Sequence, residues 1–96
     1  MVGVQVTFRY DEAFDPNVPR GVAAAAQKQF EGMPGLRSKT FTIDEANREA
    51  VNFYVWDSEE AARAFFTDEL RERITGFYGV APTIQFLEVA ALVDNS

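Results

Sequence analysis

The sequence predicts an α+β fold in which an antiparallel sheet of four strands is covered on one face by helices. Two observations carry this expectation. Hydrophobic residues recur every second residue in some segments and about every fourth in others, in the order strand, helix, strand, strand, helix, strand. Clusters of Gly, Pro, Asp and Asn punctuate the joins between those segments. Size supplies a third: 96 residues with 47% hydrophobic content make one domain over residues 1–96. At 10.8 kDa the surface falls from roughly 16,000 Å² extended to roughly 5,500 Å² folded, which is enough burial for one core and excludes a second domain.

Val2, Val4, Val6 and Phe8 alternate with Gly3, Gln5, Thr7 and Arg9, the pattern of a strand with one face buried. Asn17 is expected to cap a helix with Pro19 in its first turn, because Val18, Val22, Ala26 and Phe30 then form one apolar stripe. Gly32, Pro34 and Gly35 end it. Leu36 to Asp44 reads as a strand, Glu45 to Arg48 as a polar turn, and Glu49 to Trp56 as the hairpin partner, rich in β-branched and aromatic residues. Asp57 stands three residues before Glu60, the spacing of a capping box, and a helix follows through Ala61, Ala62, Phe65 and Phe66. Thr67-Asp68 is a place to re-cap the chain, and Leu70 and Ile74 continue the spacing to a stop at Gly76. Thr83 to Val93 is the last strand. This order is that of the ferredoxin-like split βαββαβ unit.

The third and fourth strands are apolar on both faces: Val51, Phe53 and Val55 oppose Tyr54 and Trp56, and Leu87 and Val89 oppose Ile84, Phe86 and Leu92. Helices cover one face only. The other needs a partner, and a second copy packed sheet to sheet is the economical one, so the sequence predicts a homodimer.

Composition removes most alternatives. With no Cys and no His, disulfide scaffolds, thiolate or imidazole metal sites, Ser-His triads and His-ligated haem are not available from this chain. A formal charge of −6, with no run of basic residues, argues against nucleic acid and anionic membrane surfaces. The start Met1-Val2-Gly3-Val4-Gln5 lacks the features of a signal peptide. Pro82, Glu88 and many strand formers speak against a membrane helix between Thr75 and Val93. The expected location is therefore the cytoplasm. No Gly-rich phosphate loop, serine nucleophile motif or metal-ligand spacing is present, and no cofactor is expected.

Candidate chemistry concentrates on the hairpin. Asn52, Tyr54 and Trp56 project to one face of the third strand. If Asp44 and Glu49 close a four-residue turn, Phe41 lies opposite Asn52, Lys39 opposite Tyr54 and Arg37 opposite Trp56. A slip of one residue would place Ser38, Thr40 and Thr42 there instead. In the first register two cations, an amide, a phenol and an indole share one face, the mixed lining of a small-molecule site. The plainer reading has Lys39 and Arg37 lying across aromatic rings on a half-exposed or dimer-facing surface. Among 13 aromatic residues, nine of them Phe, most belong to the core, and Phe65 and Phe66 are candidates for lining a cavity. Glu59 with Arg63 and Glu69 with Arg73 have ordinary helix-surface spacing. Glu88 stands within the apolar last strand, either as a buried base or as a rim residue.

The run Pro34-Gly35-Leu36, Lys39-Thr40-Phe41-Thr42, Glu45, Glu49-Ala50, Tyr54, Trp56-Asp57-Ser58-Glu59-Glu60-Ala61 and Ala64, with the Gly79-Val80 approach to the last strand, resembles the YdhR-like mono-oxygenases. That family lies in the dimeric α/β-barrel superfamily, which also holds the antibiotic-biosynthesis monooxygenases. The resemblance implies a ferredoxin-like protomer, two of which join their sheets into a barrel, with a cavity between sheet and helices in each.

The Asn52 and Trp56 pair is similar to one in superfamily members that oxidise polycyclic anthrones to quinones without metal or flavin. The resemblance implies a cofactor-independent monooxygenase acting on an aromatic or polyketide-like small molecule. On that reading Asn52 donates to the developing oxyanion, Lys39 or Arg37 stabilises the same charge, Trp56 packs against the ring system, and Tyr54 or a water relays the proton, with Phe41, Phe65 and Phe66 completing the substrate lining. Haem degradation is excluded by the missing His, which also removes the commonest general base. Two other readings use the same cavity: non-catalytic binding of a hydrophobic ligand, as in a stress-response protein, and another cofactor-free reaction such as isomerisation or cyclisation.

Overall fold

The computed structural model describes residues 1–11 and 13–96. Seven elements follow one another: β1 (Val2–Arg9), α1 (Asn17–Phe30), β2 (Leu36–Asp44), β3 (Glu49–Trp56), α2 (Glu59–Phe65), α3 (Asp68–Tyr78) and β4 (Thr83–Glu88). The strands form one antiparallel sheet in the order β2-β3-β1-β4. This is the predicted ferredoxin-like α+β arrangement, with the helical stretch after β3 divided into two helices.

Period-two alternation decides the faces. Val4, Val6 and Phe8 of β1 and Ala50, Asn52, Tyr54 and Trp56 of β3 are buried under the helices. Gln5, Thr7, Val51 and Phe53 point to the other face and are only partly covered. Gly3 lies beneath Phe53 on that second face: a Cβ there would stand 2.7 Å from Phe53 Cζ, so the ring lies across a backbone that has no side chain of its own and would have to shift for any larger residue.

Several boundaries differ from expectation. Pro16, not Asn17, occupies the α1 cap position, and the Asn17 N–H instead donates to Asp15 Oδ1 at 3.0 Å. Ser58, not Asp57, caps α2, its Oγ accepting from Ala61 N at 3.1 Å. The Asp57 carboxylate is diverted to Arg37 Nη1 at 3.3 Å. Thr67 does re-cap the chain, accepting from Leu70 N at 3.2 Å. α3 runs past Gly76 to Tyr78 and stops at Gly79, whose φ of 83° suits the left-handed cap. β4 ends at Glu88, short of Val93. Among the described residues no helix is long and apolar enough to cross a membrane.

Candidate active site

The hairpin register follows from its turn. Asp44 Oδ1 accepts from Asn47 N and Oδ2 from Asn47 Nδ2, at 3.2 and 2.7 Å, which closes the four-residue turn and pairs Asp44 with Glu49, Phe41 with Asn52 and Lys39 with Tyr54. The expected Arg37–Trp56 pairing does not form. A bulge between Leu36 and Ser38 sets Leu36 against Trp56, so Arg37 is the extra residue and its guanidinium stays outside, about half exposed, on Asp57.

Between the centre of the sheet and the helices lies a cavity of about 200 Å³. The sheet contributes Phe8, Lys39, Phe41, Asn52 and Tyr54, and helices supply the opposite wall, with Phe30 from α1, Phe65 from α2 and Arg73, Phe77 and Tyr78 from α3. Of the predicted site residues, Asn52, Tyr54, Lys39, Phe41 and Phe65 are brought together here. Arg37, Trp56 and Phe66 are not among the lining. Trp56 is 2% exposed because α2 closes over that end of β3: its indole lies 5.1 Å from the Phe65 ring and 6.2 Å from Phe66, centroid to centroid. Its Nε1 is buried without a hydrogen-bond partner among the described residues. Phe66 packs edge-on against Tyr54 at 4.9 Å and against Phe86 at 6.1 Å, which makes both residues a supporting layer behind Tyr54.

Two residues of the site went unassigned in the sequence. Tyr78 Oη accepts a hydrogen bond from Asn52 Nδ2 at 2.9 Å, and the Tyr78 ring stacks on Phe8 at 3.7 Å. The signal was the four-residue step Leu70, Ile74, Tyr78, which a stop at Gly76 cuts short. Arg73 is exposed on α3, as its spacing from Glu69 implied, forms no ion pair with Glu69 among the described residues, and also borders the cavity. Asn52 is 3% exposed, so its amide points to Tyr78 rather than to open space.

Lys39 has unusual surroundings. Its Nζ lies 3.6, 4.1 and 4.4 Å from the ring centroids of Phe30, Phe41 and Tyr54, and no carboxylate pairs with it among the described residues. The ring faces attract an ammonium but cannot replace its water, and burial lowers the Lys39 pKa to about 7. The phenols move the other way. Burial, with a smaller effect from Tyr78, raises Tyr54 far above its ordinary range, and burial raises Tyr78 against the opposing bond from Asn52. Glu88 is exposed on β4, which borders β1 on the side away from β3 and β2. It lines a separate groove with Met1, Val2 and Phe86, so it is not the buried base.

The fold and site together define a ferredoxin-like protein whose one-sided helical layer encloses a mainly apolar cavity with a few convergent polar groups. The chain belongs to the family described as "Putative mono-oxygenase ydhR", whose model matches residues 4–90. No curated protein matches it by sequence. Among solved structures it is similar to a monooxygenase from the gene ActVA-Orf6 of Streptomyces coelicolor in complex with nanaomycin D, at 25% identity and a TM-score of 0.72, covering 99% of this chain and 92% of that one. SnoaB, a cofactor-independent oxygenase from Streptomyces nogalater, matches at 18% identity and 0.67, covering 96% and 95%. A protein from Deinococcus radiodurans described as "a putative antibiotic biosynthesis monooxygenase" matches at 12% and 0.70, covering 100% and 99%.

Proposed function

We propose that the protein is a cofactor-independent monooxygenase that oxidises a compact aromatic, polyketide-like molecule, working as a homodimer with one cavity in each protomer. The observation that carries this reading is the convergence of the Asn52–Tyr78 pair, Lys39 and Arg73 on one aromatic-lined cavity in a chain of a mono-oxygenase family. A cavity of about 200 Å³ is small beside the roughly 300–1,000 Å³ usual for ligand sites, which favours a small fused-ring substrate.

In this reaction an anthrone-type substrate loses a ring C–H proton, and its enolate combines with O₂ to give a peroxide. Loss of water then leaves a quinone, so that one CH₂ and one O₂ become one C=O and one H₂O. The protein's task is to favour the anion and shield the peroxide. Because Asn52 donates to the Tyr78 oxygen, the phenol proton is left to donate to the substrate oxygen, where negative charge develops. Arg73 adds a fixed positive charge to the same lining.

The test uses dithranol, a dihydroxyanthrone, as the probe. We expect saturable oxygen uptake with one O₂ consumed per quinone formed, and roughly a 10²-fold lower kcat in Tyr78→Phe. Oxygen uptake no faster than in buffer, or equal turnover under nitrogen, would overturn the assignment.

The homodimer rests on the sheet's second face. The isolated protomer exposes 6,344 Å², about 800 Å² more than roughly expected for a monomer of this mass, and a standard interface buries about 800 Å² per partner.

A further inference from the structure

We propose that Lys39 is the general base of this site: its uncharged amine removes the substrate proton, and the ammonium so formed stands beside the enolate it has created. The inference rests on the oxygenase reading above and adds to it the group that reading lacks.

Among the described residues the cavity lining contains no Asp, Glu or His; Glu31 and Arg37 share an adjoining groove with Lys39, but neither lines the cavity and Glu31 forms no ion pair with Lys39. The charged or titratable groups that face the cavity can be named element by element. β2 provides Lys39, β3 provides Tyr54, and α3 provides Arg73 and Tyr78, while α1 and α2 present Phe30 and Phe65. The two phenols are held protonated by burial, and a guanidinium does not accept a proton. Lys39 is left. An ammonium has three N–H groups to satisfy, and around Nζ are three ring faces, none of them a good acceptor. The same rings tolerate a neutral amine with its lone pair free, and burial makes that form accessible near neutral pH.

The step is a proton transfer only. The amine lone pair takes the hydrogen from the substrate carbon, the C–H electron pair delocalises into the ring ketone as an enolate, and no oxidant enters. When O₂ has added, the ammonium returns its proton to the outer peroxide oxygen; the restored amine then takes the second C–H proton, that C–H electron pair forms the C=O as the O–O bond breaks, and the outer oxygen leaves as hydroxide, which regains the proton from the ammonium to give water and the neutral amine. A base that becomes a cation as its substrate becomes an anion needs no charged partner at rest, which fits the absence of an ion pair to Lys39 among the described residues.

The experiment separates proton removal from oxygenation. Anthrone is incubated with the protein in D₂O under nitrogen, and deuterium entry at its CH₂ carbon is followed by mass spectrometry. Wild-type protein is expected to accelerate exchange saturably, with a rate that falls as the pH drops below about 7. Lys39→Met and Lys39→Arg should each lose at least about 10²-fold, the second although it keeps the positive charge, while Lys28→Met on α1 is the control for general lysine loss. Exchange unaccelerated by wild type, or within threefold of wild type in a folded Lys39→Arg, overturns the proposal. Parallel oxygen uptake in air keeps the two readings apart. Uptake surviving in Lys39→Arg removes the base and leaves the oxygenase, whereas exchange under nitrogen with no uptake in air keeps the base and removes the oxygenase.

Discussion

Lys39 is held by opposing forces. Three aromatic faces attract its charge, while removal from water penalises it, and desolvation prevails because the pKa falls to about 7 from 10.5. Between these two values the unfolded chain binds a proton that the folded chain does not, so this residue makes stability rise as pH increases from about 7 to 10.5. Below that window both states are protonated and the full cost of the buried charge is present. Lys39→Met should therefore stabilise the protein at pH 6, by on the order of 1 kcal/mol given the cavity's access to water, and the gain should shrink toward pH 10. Urea unfolding of both proteins at the two pH values checks this; a gain that grows with pH contradicts it. Trp56 makes a complementary point. Its indole N–H, buried without a partner among the described residues, costs about 1–3 kcal/mol, which its contacts with Tyr54, Phe65 and Phe66 must offset.

At the scale of elements, α3 carries Arg73 and Tyr78 to the cavity, and its position depends on how the chain breaks after α2. Thr67 makes that break orderly by accepting from Leu70 N. Thr67→Ala should cost about 1 kcal/mol, seen as a lower urea midpoint and faster hydrogen exchange at the Leu70 amide, and Thr67→Ser should restore most of it. Unchanged exchange at Leu70 would mean that the cap does not hold the first turn. The same elements explain what the sequence disclosed. Alternation in β1 and β3 identified the sheet faces, and the four-residue turn after Asp44 gave the pairings of Asn52 and Tyr54. The bulge at Arg37 was hidden, because nothing local in Leu36-Arg37-Ser38 distinguishes a continuous strand from one with an extra residue. Arg73 and Tyr78 were hidden for another reason: Val22, Ala26 and Phe30 recur at the same period whether they seal a core or line a cavity, and only the gap between α1, α3 and the sheet separates the two. Asp57 and Ser58 are both competent caps, and it is Arg37, displaced by the bulge, that draws Asp57 away.

At the scale of the whole molecule, the helices and the cavity occupy one side of the sheet, which leaves the other side to account for. There Phe53 lies over Gly3, Val51 and Phe53 are half-buried only by their neighbours, and Leu87 is 36% exposed. Such a face on so small a domain is stabilised by covering it, and a second copy brings the same apolar strip about a two-fold axis without any further chain. Native mass spectrometry at micromolar concentration should therefore give twice the 10.8 kDa of the chain. Phe53→Glu should yield monomer, since two carboxylates would face each other across an apolar contact. Because Phe53 points away from the cavity, the isolated variant should still bind an anthrone under nitrogen, with affinity within a few-fold of wild type if each cavity is complete in one protomer. A monomeric wild type would refute the assembly. A monomeric variant that folds but no longer binds would show that the partner sheet sets the geometry of β3, and hence of Asn52 and Tyr54, so that association is part of how the site is built.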